Sequence, residues 1–274
     1  MWKSFRLPVR RTDSLKERVV HPLTRDKYRE LKVLRDISFE VRRGEFFGVA
    51  GRNGCGKSTL LKLLASVYRA DRGRIRIAGL VAPIIELGVG FQPEMNARDN
   101  VVLNGVMMGL SPSEARRRFD SVIEFAQLED FVELKLKNFS SGMTVRLAFA
   151  IVMQTNADVL LLDEVLAVGD AEFQRRAQES FEEIKRKRSK TVLLVTHVMP
   201  DIERYCDRAM LLEEGRIEQI GDPGETARRY SALSETGPRA FAPTPSRPEP
   251  APDPIFGDAV DINGGTVGPD GARA

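Results

Sequence analysis

The stretch that most limits how this 274-residue chain can fold is Phe46–Ser58, FFGVAGRNGCGKS. The apolar run Phe46–Ala50 reads as a strand buried on both faces of a parallel sheet. It leads straight into G-x-x-x-x-G-K-S, with Gly51, Gly56, Lys57 and Ser58 at the fixed positions, and KSTLLKLLASVY then reads as a helix. A helix start after a glycine loop collects free N–H groups and partial positive charge, which suits a phosphate. The glycines let the backbone turn those N–H groups inward. Lys57 can neutralise β- and γ-phosphates and Ser58 can offer its hydroxyl to Mg²⁺. The candidate nucleotide ligands are therefore Gly51, Arg52, Asn53, Gly54, Cys55, Gly56, Lys57, Ser58 and Thr59. Cys55 reads as a small spacer, with a thiol near enough to make nucleotide binding sensitive to alkylation.

On both sides of this stretch the pattern alternates. ISFEV (Ile37–Val41) reads as a half-buried strand, GRIRIAG as a strand bounded by glycines, and DVLLL and TVLLVT as short buried strands either side of the charged helix AEFQRRAQESFEEIKRKRS. RAMLLEEGRIEQIG reads as a hairpin turning at Glu214–Gly215. SPSEARRRFDSVIEFAQL opens with a capping box, Ser111 to Glu114, with Pro112 at the first helical position. Strands alternating with helices predict an α/β fold with a parallel sheet, interrupted by a helical segment over about 92–156. Asp163 and Glu164 follow the apolar run VLLL, at the strand end where open α/β sheets bind ligands. Asp163 then fits a Mg²⁺ ligand acting through water, and Glu164 a group that polarises an attacking water. The competing reading is two solvated acids at a strand end. His197 ends the next strand, within reach of a γ-phosphate, whereas His21 receives no role.

The remaining composition mostly excludes. No apolar run approaches the roughly 18–20 residues of a spanning helix, and there is no secretory signal. Two cysteines make no disulfide framework and suit a reducing compartment. The net charge of +3 gives no general affinity for polyanions. Residues 1–35 nevertheless hold eleven Lys/Arg against four Asp/Glu. Residues 1–30 read as a basic extension with one short helix, able to touch anionic lipid headgroups or to remain a solvated arm. Residues 31–233 read as the folded domain. Residues 234–274, which carry eight of the fifteen prolines, read as an extended tail. VDINGGTVGPDG within it could form a small hairpin.

The order of these motifs carries a resemblance. The phosphate loop, SSGM before a helix, VLLLDE, AVGD and a strand-end histidine together resemble the nucleotide-binding subunit of ATP-binding-cassette (ABC) transporters, over about Leu31–Leu233. ELGVGFQPEMNARDNVVLNGVMMGLS, FSSGMTVRLAFAI and DEVLAVGD resemble its polysaccharide-export branch, which handles O-antigen, teichoic acid, capsule or related lipid-linked glycans. The resemblance implies a P-loop NTPase (RecA-like) domain with a helical subdomain and a small antiparallel β subdomain. It implies ATP and Mg²⁺ as cofactors. Gln92 would touch Mg²⁺ and the attacking water, and Tyr28 would stack on adenine. Ser140, Ser141 and Gly142 would act on the γ-phosphate of a second copy, and Asp170 would cross the dimer. Met143 stands where the family has glutamine.

The resemblance further implies a homodimer of ATPase subunits, peripheral on the cytoplasmic face of the cell membrane and driving integral permease subunits. It implies no nucleic-acid partner and no direct glycan binding, since the tail is too short for the carbohydrate-binding sandwich of some relatives. The alternatives are the ATPase of a lipid, drug or peptide exporter, or a soluble ABC protein acting on ribosomes or DNA.

Overall fold

The continuous apolar runs become the middle of a six-stranded sheet in a computed structural model that describes residues 1–8, 28–84, 88, 90–164 and 169–235. Phe46–Gly51 (β3), Val159–Asp163 (β5) and Thr191–Val195 (β6) lie side by side and parallel. Val81–Ile84 (β4) forms one edge, and Arg208–Glu213 (β7) and Arg216–Gly221 (β8) the other, in the order β4-β5-β6-β3-β7-β8. Only β8 runs antiparallel, as the second arm of the expected hairpin, and both turn residues Glu214 and Gly215 have positive φ. The described fold falls within the compact unit Met1–Ala242; the second unit, Pro243–Ala274, lies outside the described residues, as does the hairpin expected in it.

Side-chain alternation explains why these strands read as unbroken apolar runs. Leu160 and Leu162 of β5 and Val192 and Leu194 of β6 enter one cluster, with Phe46, Phe149, Phe173 and Phe181. Leu161, Leu193, Val195, Phe47 and Val49 enter the cluster on the opposite face, with Leu60 and Leu61 from the helix Lys57–Leu64 (α1). A strand covered on both faces has no polar side to show. Each fully buried Leu or Phe contributes about 1.5–3 kcal/mol.

The segment expected to be helical holds Ala97–Met107 (α2), Pro112–Arg117 (α3), Phe119–Ala126 (α4) and Ser141–Met153 (α5), around a third cluster that includes Val122, Ile123, Leu147 and Ile151. Stacked Phe125 and Phe149, 5.9 Å apart, join this layer to Phe173, which is edge-on to Phe149 at 5.5 Å. Phe173 lies on Ala171–Lys187 (α6), the charged helix read between the strands. Met199–Tyr205 (α7) and Pro223–Glu235 (α8) are the remaining α-helices among the described residues.

Several expectations are corrected. Lys3–Pro8 is a strand (β1), antiparallel to Tyr28–Leu34 (β2), not part of a loose arm. It is pinned at its start by Asp71, which accepts from Ser4 N, Ser4 Oγ and Lys3 Nζ at 2.6–2.9 Å. Residues 9–27, with His21 and the short helix expected nearby, lie outside the described residues. Ile37–Val41 and Gly73–Gly79 form no strand; Ile37 and Phe39 still face the core, but no ladder joins the two segments. The helix read as 57–68 stops at Leu64, because Ser66 turns to φ +61°. The capping-box helix is present but splits at Arg118. The Arg118 guanidinium leaves the helix line to bind Gln154 O and Asn156 Oδ1 beyond the end of α5. β4 escaped the sequence reading because it is four residues long and contains Pro83, which an edge strand tolerates.

Candidate nucleotide site

Three neighbouring strands end at one level of the sheet. Val49 of β3 pairs with Val195 of β6, which also pairs with Asp163 of β5. The residues that follow, the loop Gly51–Gly56, Thr196–His197 and Asp163–Glu164, therefore emerge together. A cavity of about 480 Å³ opens there, lined by Val33, Asn53, Gly54, Gly56, Lys57, Ser58, Thr59, Asp163 and Glu164.

The loop is built around close approaches. A Cβ on Gly51 would lie 2.4 Å from Leu212 O, so only glycine fits against β7. Gly56 caps α1 at φ +112°, a left-handed conformation glycine takes without strain. α1 has no side-chain cap, so its first N–H groups are left for the cavity. Lys57, 7% exposed, lays its ammonium on the loop's carbonyls, 2.6 Å from Gly51 O and 3.1 Å from Arg52 O. That uses two of its three donors and leaves one.

The acids stand opposite. Ser58 Oγ donates to Asp163 Oδ2 at 3.2 Å. Burial pushes the Asp163 carboxyl above its ordinary range; the Ser58 hydrogen bond and the Lys57 and Lys62 charges oppose this, and the Glu164 charge adds to it. Glu164 takes φ +52°, rare for a side-chain-bearing residue, and is held there by its N–H to Val195 O at 2.9 Å. Its Oε1 lies 2.6 Å from His197 Nδ1. Thr196, buried, accepts from Val198 N at 3.0 Å and so fixes the turn carrying His197.

The loop, Asp163, Glu164 and, through Glu164, His197 thus meet within one chain. Six other candidates do not. Tyr28 is 59% exposed at the start of β2 and does not line the cavity. Gln92 is exposed; its backbone is held by the buried Asn100, whose Oδ1 accepts from Gln92 N at 2.7 Å. Ser140 caps α5, accepting from Met143 N at 3.2 Å, and with Ser141 it faces solvent, Gly142 following. Asp170 caps α6 through Phe173 N at 2.9 Å and pairs with Arg146 of α5 at 3.6 Å. Cys55 sits inside the loop and is buried, as a small spacer would be, and burial pushes its thiol up, which weighs against the alternative of ready alkylation.

Val33, Asn100 and Arg146 were missed. Val33 sits at a strand end, and Gly56 would carry a Cβ 3.2 Å from Val33 O, a proximity no motif spacing encodes. Among the described residues no helix is long and apolar enough to cross a membrane.

A family model described as ABC transporter matches residues 34–167. The O-antigen export system ATP-binding protein RfbB of Klebsiella pneumoniae is 41% identical over 219 residues, 79% of this chain and 89% of that protein. The protein of the same name from Myxococcus xanthus is 38% identical over 216 residues, 78% of this chain; the match spans 49% of that longer protein. A solved structure of an ATP-binding subunit of an ABC transporter superposes with a TM-score of 0.65 at 28% identity, covering 74% of this chain and 91% of that one.

Proposed function

The chain belongs to the family of ABC transporter ATP-binding proteins, and from that premise we propose that it binds and hydrolyses ATP to drive export of a polysaccharide or lipid-linked glycan of the O-antigen kind. The observation that carries the ATPase reading is the convergence of Lys57, Ser58, Asp163 and the Glu164–His197 pair on one strand-end cavity. The loop N–H groups and Lys57 hold the phosphates. Glu164 orients a water for attack on the γ-phosphate, and His197 fixes the rotamer of Glu164. The glycan class rests on the O-antigen relatives and on the SSGM spelling of the α5 start.

The residues fit a magnesium ion. Ser58 and Asp163 present two hard oxygens to one spot, and the raised carboxyl of Asp163 marks a place where a positive charge is wanted. When bound, Mg²⁺ would neutralise charge on the β- and γ-phosphate oxygens. Gln92 would join this shell after a movement of its loop.

The reading extends to a pair of chains. Ser140 and Ser141 are exposed and lie outside their own chain's cavity, as a group meant for another copy's phosphate must be. Asp170, at the start of α6, pairs with Arg146 of α5, the helix that Ser140 caps, which supports the same assignment for it. Each nucleotide is then held between two subunits lying on the cytoplasmic face of the membrane, and separate integral permease subunits supply the path. Affinity capture of the tagged chain from detergent-solubilised membranes tests this. Recovery with a protein of several apolar spans supports it; recovery with ribosomes or DNA and no membrane protein contradicts it.

A further inference from the structure

Asn100 lies on α2, eight residues after Gln92, and no motif points to it. It has no exposed surface, yet its side chain has four hydrogen-bond partners, three of them sharing the two N–H groups of Nδ2. Its Oδ1 accepts from Gln92 N at 2.7 Å, and its Nδ2 reaches Gln92 O at 3.0 Å, Met95 O at 3.3 Å and Asn96 O at 2.9 Å. Both backbone polar groups of Gln92 are therefore held by one buried amide, while the Gln92 side chain stays in solvent. A buried amide this well satisfied fixes its partners, since losing one leaves a buried group unpaired.

The same short turn is tied to the lead-in of the α5 start. Lys137 N donates to Pro93 O and Leu136 N to Met95 O, both at 3.0 Å. Phe91 and Phe139, immediately before Gln92 and Ser140, pack against the same apolar cluster. Exposed Glu94 lies 3.1–3.4 Å from the ammoniums of Lys135 and Lys137, a contact of little weight in solvent. The backbone bonds and the shared cluster are the rigid part of the link.

We infer that Asn100 is a positioning residue that makes Gln92 and the Ser140 start of α5 one mechanical unit, so that a displacement of Gln92 is delivered to Ser140. The inference rests on the roles proposed above for Gln92 and Ser140. On those roles Gln92 serves the nucleotide of its own chain and Ser140 that of the second copy. A unit carrying both lets one movement bring two cavities into register.

The test is a double-mutant cycle in the full chain, with Gln92→Ala and Asn100→Asp, which keeps the acceptor for Gln92 N and removes the Nδ2 donors shared among the three carbonyls. Steady-state ATPase activity is read as kcat and KM, with affinity for a fluorescent ATP analogue and thermal unfolding as controls. Asn100→Asp is expected to lower kcat about 10- to 100-fold with KM and analogue affinity within about twofold. The double variant is expected to be no slower than the slower single variant, because both changes act through one group. Multiplicative losses, or an Asn100→Asp variant with full kcat, would overturn the inference while leaving the ATPase reading intact. Full activity in Gln92→Ala would instead remove the role of Gln92, and the inference with it. If Asn100→Asp does not fold, Asn100→Ser carries the same cycle.

Discussion

Glu164 Oε1 and His197 Nδ1 lie 2.6 Å apart, and the contact spans two strands that are neighbours in the sheet, β5 and β6. Glu164 reaches it only from a left-handed backbone conformation, φ +52°. Such a conformation costs about 1–3 kcal/mol and persists where the surroundings over-determine it. Here the Val195 carbonyl and the His197 ring do so, and Glu164 is left lining the cavity it shares with the phosphate loop.

Replacing Glu164 by Gln keeps the shape and removes the base. Turnover is expected to fall about 10²- to 10⁴-fold, while the dissociation constant for a fluorescent ATP analogue stays within about twofold. A steady-state rate near that of the unaltered protein would remove Glu164 from its role.

Asp163 makes stability depend on pH in a direction set by its environment. Burial raises its carboxyl, the Ser58 hydrogen bond opposing and the Glu164 charge adding. The protonated form is thus favoured in the folded state. Its contribution is complete below the ordinary carboxylate pKa and is lost as pH rises through the raised value. Above the ordinary carboxylate pKa the group is therefore a net cost to the folded state. Asp163→Asn, which can still accept from Ser58, should raise the Tm of the nucleotide-free protein at pH 7.5 by about 1–3 °C. The gain should shrink as the pH approaches 4. An Asp163→Asn variant less stable than the unaltered protein at pH 7.5 would count against this.

Both thiols are buried, and burial pushes Cys206 up to about 12 and Cys55 upward as well. The thiolate is the reactive form. In the folded protein at pH 8, Cys206 should react with a disulfide reagent only on the timescale of unfolding, and Cys55 far more slowly than a free thiol. Rapid labelling of Cys55 would show that the loop opens more readily than its packing implies.

Much of this was legible in the residues, and what was missed has physical reasons. The buried strands, the hairpin at Glu214–Gly215, the capping box and the phosphate loop rest on local chemistry: period, turn residues and helix caps. Asp163, Glu164 and His197 were legible because parallel strands bring their ends to one edge. β1 was missed because residues around it are basic and polar and its strand partner begins twenty residues later. The segments Ile37–Val41 and Gly73–Gly79 alternate like strands, yet alternation reports a buried face, not a hydrogen-bonded neighbour. Asn100 was invisible because a buried asparagine and an exposed one are spelled alike.

Ser140 caps its own helix and, on the proposed reading, serves another chain's nucleotide. Ser140→Arg places a long cation at the helix start. ATP-analogue binding to the isolated chain should survive, and hydrolysis should fall at least about tenfold, since an introduced charge at a contact costs over 1.4 kcal/mol. Equal loss of binding and hydrolysis would mean that Ser140 supports its own cavity.

The most direct measurement is the mass of Glu164→Gln in solution by light scattering, with and without ATP and Mg²⁺. The account predicts the 30.6 kDa chain alone and a species of twice that mass when ATP is present. It further predicts that adding Ser140→Arg abolishes the larger species. A chain that binds ATP and stays at 30.6 kDa would contradict the shared site.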